Sequence, residues 1–172
     1  TLFGPAGNAL EHTRLPISGK QLERLAGHGQ AVRVALLVTR LARLPVGAGL
    51  MTWLRRARLI GARTSADDLR EILDHVVHLD PRTLPLMTLS CQRHSAYDVL
   101  PRVTVPLLIM AGGQDPFMPL ESVAMHMHEA APGSELVVLE TATHAALLDF
   151  PDEIGAHVEA FLARHRLTGE AC

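Results

Sequence analysis

The sequence predicts an α/β chain: a helical region over residues 1–95, then strand, helix, strand, helix over residues 96–172. Three observations predict it. Residues 105–111 (VPLLIMA) and 135–139 (ELVVL) are short apolar runs without alternation, the pattern of strands covered on both faces of a parallel sheet. The segments between and after these runs carry apolar residues at helical spacing. Upstream of residue 96 the periodic segments are helical too.

The elements follow in order. Residues 21–44 place Leu22, Leu25, Val32, Leu36, Leu37, Leu41 and Leu44 at roughly helical spacing, with Gly27 and Gly29 as a break. Pro45, Gly47 and Gly49 punctuate the chain. Residues 50–60 predict a short helix whose basic end (Arg55, Arg56, Arg58) suits a helix C-terminus, with Gly61 as its stop. Ser65 with Asp68 predicts a capped start to a helix reaching about Leu79. Asp80-Pro81 starts a further helix to about Gln92, and 96–102 is a linker with a short turn. Gly112-Gly113 ends the first strand, 119–130 is a helix, and Pro132-Gly133 turns the chain into the second strand. Pro151 opens a last helix through Arg164, with Ile154, Val158, Phe161 and Leu162 as its apolar stripe. Strand, helix, strand in this order implies a right-handed parallel crossover.

Composition bounds the function. The chain has 172 residues, enough for one domain with a real core. Aromatics are only 3% against 48% hydrophobic residues, so that core is aliphatic. A net charge of −2 with mixed signs does not favour nucleic-acid binding, which calls for a basic patch. The sequence holds no uncharged apolar run of the ~18–20 residues a membrane span needs. The two cysteines, Cys91 and Cys172, form no disulfide framework, suit a reducing compartment, and lead us to expect a cytoplasmic protein. The chain opens on Thr1 with residues that look like the middle of a protein, so an earlier segment is expected.

The chemistry gathers on two loops. Asp115 follows the first strand and His144 the second. In an open parallel sheet, catalytic groups collect at the carboxyl ends of strands. Neighbouring strands would therefore bring carboxylate and imidazole side by side. Imidazole titrates near neutral pH and serves as a base toward a serine or cysteine. A carboxylate holds its tautomer and stabilises the protonated ring. The alternative for Asp115 is a turn carboxylate that bonds nearby backbone N–H groups.

Three segments then match a known family. GGQDPFMP resembles the strand–Gly-x-x-Asp-x-x-x-Pro segment of α/β-hydrolases. THAALLDFPDEIGAHVEAFL resembles their His loop and closing helix, and HSAYDVLPRVTVPLLIMAG the lead-in to the acid-bearing strand. The resemblance covers residues 94–165 and implies Asp115 as triad acid and His144 as base. It also implies a chain corresponding to the C-terminal part of the fold. Residues 1–95 would be a mostly helical cap, residues 96–172 the C-terminal part of the core, and the N-terminal half of the sheet would be absent. Two departures stand out. Thr143 precedes His144 where glycine is common, and the chain has no Gly-x-Ser-x-Gly nucleophile elbow. The nucleophile and the oxyanion-hole donors are therefore expected upstream of this chain.

Other candidates carry less. His75 and His78 share a helix with Glu71, a face that can bind a metal but reads better as solvated. His126 and His128 point to different faces of their helix. Cys91 and Ser18, Ser65, Ser90, Ser95, Ser122 and Ser134 lack elbow contexts. Trp53 or Tyr97 would be a pocket wall, although a hydrogen-bonded linker is the better reading of Tyr97. The resemblance implies a serine hydrolase acting on a small lipophilic ester or related acyl substrate, with no metal or organic cofactor. Such a two-strand sheet would need the N-terminal half of the fold or an oligomer partner to cover its edges. The alternative is a non-catalytic binding module or truncated relative, inactive on its own.

Overall fold

This computed structural model describes residues 46–80, Thr83, Met87 and 95–166. The helix predicted over 21–44, most of the helix predicted after Asp80, and Cys91 lie outside the described residues.

Helix α1 (Ala48–Arg56) and helix α2 (Ala66–His78) form a pair joined by a tight connection. Met51 of α1, Ile60 of the connection and Leu69 of α2 form one buried cluster, with Leu54, Leu73 and Ala145 packed alongside. The predicted stop at Gly61 is wrong. Helix α1 ends at Arg56, and Arg58 adopts a left-handed φ of 58°. Arg58 N–H donates to the Arg55 carbonyl at 3.0 Å and Leu59 N–H to the Leu54 carbonyl at 3.0 Å. These two bonds close a Schellman motif with an arginine where glycine is usual. Helix α2 starts as expected: Ser65 and Asp68 form a reciprocal capping box.

A short 3-10 helix (Leu100–Arg102) buries Leu100 and leads to strand β1 (Leu107–Gly112). Helix α3 (Ala124–Ala130) follows, then strand β2 (Ser134–Leu139), helix α4 (Ala146–Asp149) and helix α5 (Pro151–Arg164). Strands β1 and β2 pair in parallel, from Leu107 opposite Ser134 to Gly112 opposite Leu139. The core on one sheet face joins Leu107 and Ile109 to Leu100, Val123, Ala124, Met127 and Ala131. Helix α3 is shorter than predicted. Val123 takes non-helical angles (φ −120°, ψ −73°), and Met125 N–H reaches the Leu120 carbonyl at 3.0 Å, a wide turn that seats Val123 in this core. Among the described residues no helix is long and apolar enough to cross a membrane.

Candidate active site

Two loops meet past the carboxyl ends of the strands because the backbone forces them together. Gly113 N–H donates to the Leu139 carbonyl and Gln114 N–H to the Ala142 carbonyl, both at 2.9 Å, so the pairing of β1 with β2 continues into the loops. Only glycine permits this approach. A Cβ on Gly112 would lie 2.7 Å from the Ala142 carbonyl oxygen, and one on Gly113 would lie 2.6 Å from that of Glu140.

At this junction Asp115 Oδ2 accepts a hydrogen bond from His144 Nδ1 at 2.9 Å. Asp115 Oδ1 accepts from the backbone N–H groups of Phe117 (2.7 Å) and Met118 (3.0 Å). The two readings of Asp115 are thus both present, one on each oxygen: a turn carboxylate and a partner for histidine. Burial alone would push the Asp115 carboxyl up. The hydrogen bond and charge of His144, with the Met118 and Phe117 N–H groups, outweigh it and hold the carboxyl below its ordinary value of 3.8. An ionised Asp115 fixes the His144 proton on Nδ1 and leaves Nε2 as the acceptor. Nε2 has no hydrogen-bond partner among the described residues. The Asp115 side chain is 10% exposed and the His144 side chain 45%, so the acid is held inside and the base faces outward. The ring of Phe117 packs against the imidazole, centroid to centroid 4.6 Å.

A cavity of about 330 Å³ opens beside this pair. Asp115, Thr143 and His144 are its polar side chains among the described residues; Met118, Met127, Leu147 and Val158 are typical of the rest. It runs along the edge of β1, which pairs with no further strand among the described residues. Thr143, in the position where glycine was expected, is buried, and its Oγ1 accepts from Ala145 N–H at 3.4 Å.

The other candidates disperse. His75 Nδ1 pairs with the Glu71 carbonyl (2.8 Å) and His78 Nδ1 with that of Asp74 (2.6 Å), both exposed. Among the described residues no three His, Cys, Asp or Glu side chains converge on a metal position. His128 Nδ1 meets Ser134 Oγ at 2.8 Å, joining α3 to the start of β2. Trp53 is 60% exposed and does not line the cavity. Tyr97 packs on the core, but its buried hydroxyl has no partner among the described residues, so the hydrogen-bonded reading of Tyr97 fails there.

Comparison with known proteins bears on this geometry. The chain superposes on bromoperoxidase from Bacillus anthracis with a TM-score of 0.65, at 17% identity, over 92% of this chain and 55% of that one. It superposes on a hydrolase from Oleispira antarctica with a TM-score of 0.62, at 18% identity, over 95% of this chain and 52% of that one. The chain has the fold of part of an α/β-hydrolase. In sequence it is 34% identical over 86 residues to pimeloyl-[acyl-carrier protein] methyl ester esterase of Neisseria meningitidis serogroup B, covering 50% of this chain and 30% of the relative. It therefore spans 22–30% of the length of the curated relatives it matches and about half of these solved α/β-hydrolases. No protein-family model matches it.

Sequence reasoning missed the part played by two residues, one at the Asp115–His144 pair and one behind it. Phe117, against the imidazole, sits two residues after Asp115, and its aromatic character in a chain poor in aromatics was a usable signal. Asp149 is a buried carboxylate whose signal in the sequence was its place as the acid after the apolar stretch of the His loop.

Proposed function

We propose that the protein containing this chain is a hydrolase of small, lipophilic esters or related acyl compounds. In this reading residues 1–95 form a mostly helical cap and residues 96–172 part of the catalytic core. Asp115 is the acid and His144 the base of a catalytic triad. The nucleophile is a hydroxyl outside these 172 residues, with the oxyanion donors beside it. The observation that carries the reading is the 2.9 Å bond from His144 Nδ1 to Asp115, which leaves Nε2 to act as a base. The similarity to an esterase from Neisseria meningitidis supports the reaction class.

The chemistry follows from the two side chains. Nε2 of His144 takes the proton of the nucleophilic hydroxyl as its oxygen attacks the ester carbonyl. Asp115 stabilises the resulting imidazolium without accepting the proton. Collapse of the tetrahedral intermediate expels the alcohol, which takes that proton from Nε2. A water then attacks the acyl-enzyme, gives its proton to Nε2, and the acid departs as the proton returns to the nucleophile.

The test is hydrolysis of p-nitrophenyl esters of increasing chain length. In the complete protein, His144→Ala should lose at least about 10³-fold in kcat. The 172-residue chain alone should show no turnover. Turnover by that chain that survives Cys91→Ala and is lost with His144→Ala would overturn the placement of the nucleophile. Unchanged turnover in His144→Ala complete protein would overturn the catalytic reading and favour a binding module.

A further inference from the structure

Asp149 is 1% exposed, and it lies five residues after the proposed base. Its carboxylate belongs to the loop of His144 in sequence, yet all of its side-chain bonds go to the connection between α1 and α2. Oδ2 accepts from Gly61 N–H at 2.8 Å. Oδ1 accepts from Arg63 N–H at 2.9 Å, Thr64 N–H at 2.8 Å and Thr64 Oγ1 at 3.1 Å. Four donors satisfy one buried carboxylate without a cation.

The connection is fastened from its other side as well. Arg55 donates to the carbonyls of Gly61 (3.3 Å), Ala62 (3.5 Å) and Thr64 (3.0 Å). Arg63 donates to the Asp149 carbonyl at 3.2 Å, and its guanidinium lies 4.9 Å from the centroid of the Phe150 ring. Residues 61–64 are therefore gripped through their carbonyls by α1 and through their N–H groups by Asp149. Asp149 N–H in turn bonds the carbonyl of Ala145, the residue next to His144, at 3.1 Å. Gly61 is shaped for this grip: a Cβ there would stand 2.1 Å from Asp149 Oδ2.

We propose that Asp149 is a positioning residue that ties the α1–α2 helical pair to the His144 loop, so that the seating of those helices sets where the imidazole stands. The inference rests on the reading of His144 as base. Asp149 touches no substrate. It acts through Ala145 and the single turn of α4.

The test is a kinetic and thermodynamic cycle in the complete protein. Asp149→Asn keeps the volume but turns one oxygen into a donor facing an N–H group. It should cut kcat for p-nitrophenyl ester hydrolysis by up to about 10²-fold, the scale of a misplaced catalytic group, with KM within about threefold. A staple of purely structural importance would lower the melting temperature and leave kcat of the folded protein unchanged, which would overturn the proposal. Gly61→Ala should reproduce the kcat loss in the parent and add less than about twofold in an Asp149→Ala background, because the carboxylate it displaces is gone. Fully additive losses would overturn it. If Asp149→Asn does not fold, Thr64→Val removes the single hydroxyl contact. A several-fold kcat loss at constant KM then supports positioning, and unchanged kcat refutes it. His144→Ala, run in parallel, separates the two claims. Retained activity there removes the catalytic reading itself, whereas loss there with normal kcat in Asp149→Asn removes only the positioning role.

Discussion

Replacing Asp115 by asparagine isolates the carboxylate charge from the loop that carries it. Oδ1 receives two backbone N–H bonds, at 2.7 and 3.0 Å, whereas Oδ2 receives one bond from His144. An asparagine has one orientation that fits: its oxygen on the two N–H groups and its amide nitrogen toward Nδ1. The flipped orientation would set its NH₂ against two N–H donors, each left unsatisfied at a cost of about 1–3 kcal/mol. The amide then donates to Nδ1 and moves the ring proton to Nε2, the wrong tautomer for a base. Such a tautomer trap costs about 10⁴-fold in kcat, which is about 5 kcal/mol at 1.36 kcal/mol per tenfold. Stability should fall far less, by about 1–2 kcal/mol, since one charged hydrogen bond weakens and the turn bonds persist. The assay is p-nitrophenyl ester hydrolysis by the complete protein, with urea denaturation of the same preparations. A folded Asp115→Asn protein within about tenfold of the parent kcat would refute the reasoning.

Four further outcomes follow from the described residues. Because its folded-state carboxyl lies below its ordinary value of 3.8, Asp115 stabilises the protein fully above that value, and the contribution disappears as pH falls through the lower folded value. Melting curves of parent and Asp115→Asn should therefore converge on acidification through that range. Arg58→Gly should raise stability by about 0.5–1 kcal/mol in urea denaturation, because it relieves the left-handed strain at φ 58°. Ser65→Ala removes half of the capping box and should cost about 1 kcal/mol by the same measurement. Met127→Ala, at a residue 3% exposed against β1, should cost about 2–5 kcal/mol and leave a cavity in the core beside the site.

Local pattern and short-range chemistry were legible in the sequence. The runs at 105–111 and 135–139 announced both strands, Pro151 the start of α5, and Ser65 with Asp68 the start of α2. The doublet Gly112-Gly113 was legible as the end of the first strand, but not as the close approach that brings the Asp115 and His144 loops together. What escaped depends on contacts between distant parts of the chain. Gly61 looked like a helix stop, yet its lack of a side chain serves Asp149, far along the chain. Arg58 holds the left-handed position at the end of α1, a job that sequence rules give to glycine. Helix α3 starts late because Val123 is drawn into the core before the helix closes, a tertiary demand that no local periodicity records.

The central claim, that His144 activates a hydroxyl lying outside these 172 residues, is tested most directly by labelling the complete protein with a serine-directed fluorophosphonate and locating the adduct by mass spectrometry. The expected result is a single adduct on a serine beyond this chain, formed at least about 10³-fold more slowly in the His144→Ala protein. An adduct on a residue of this chain, or labelling at an undiminished rate without His144, would contradict it.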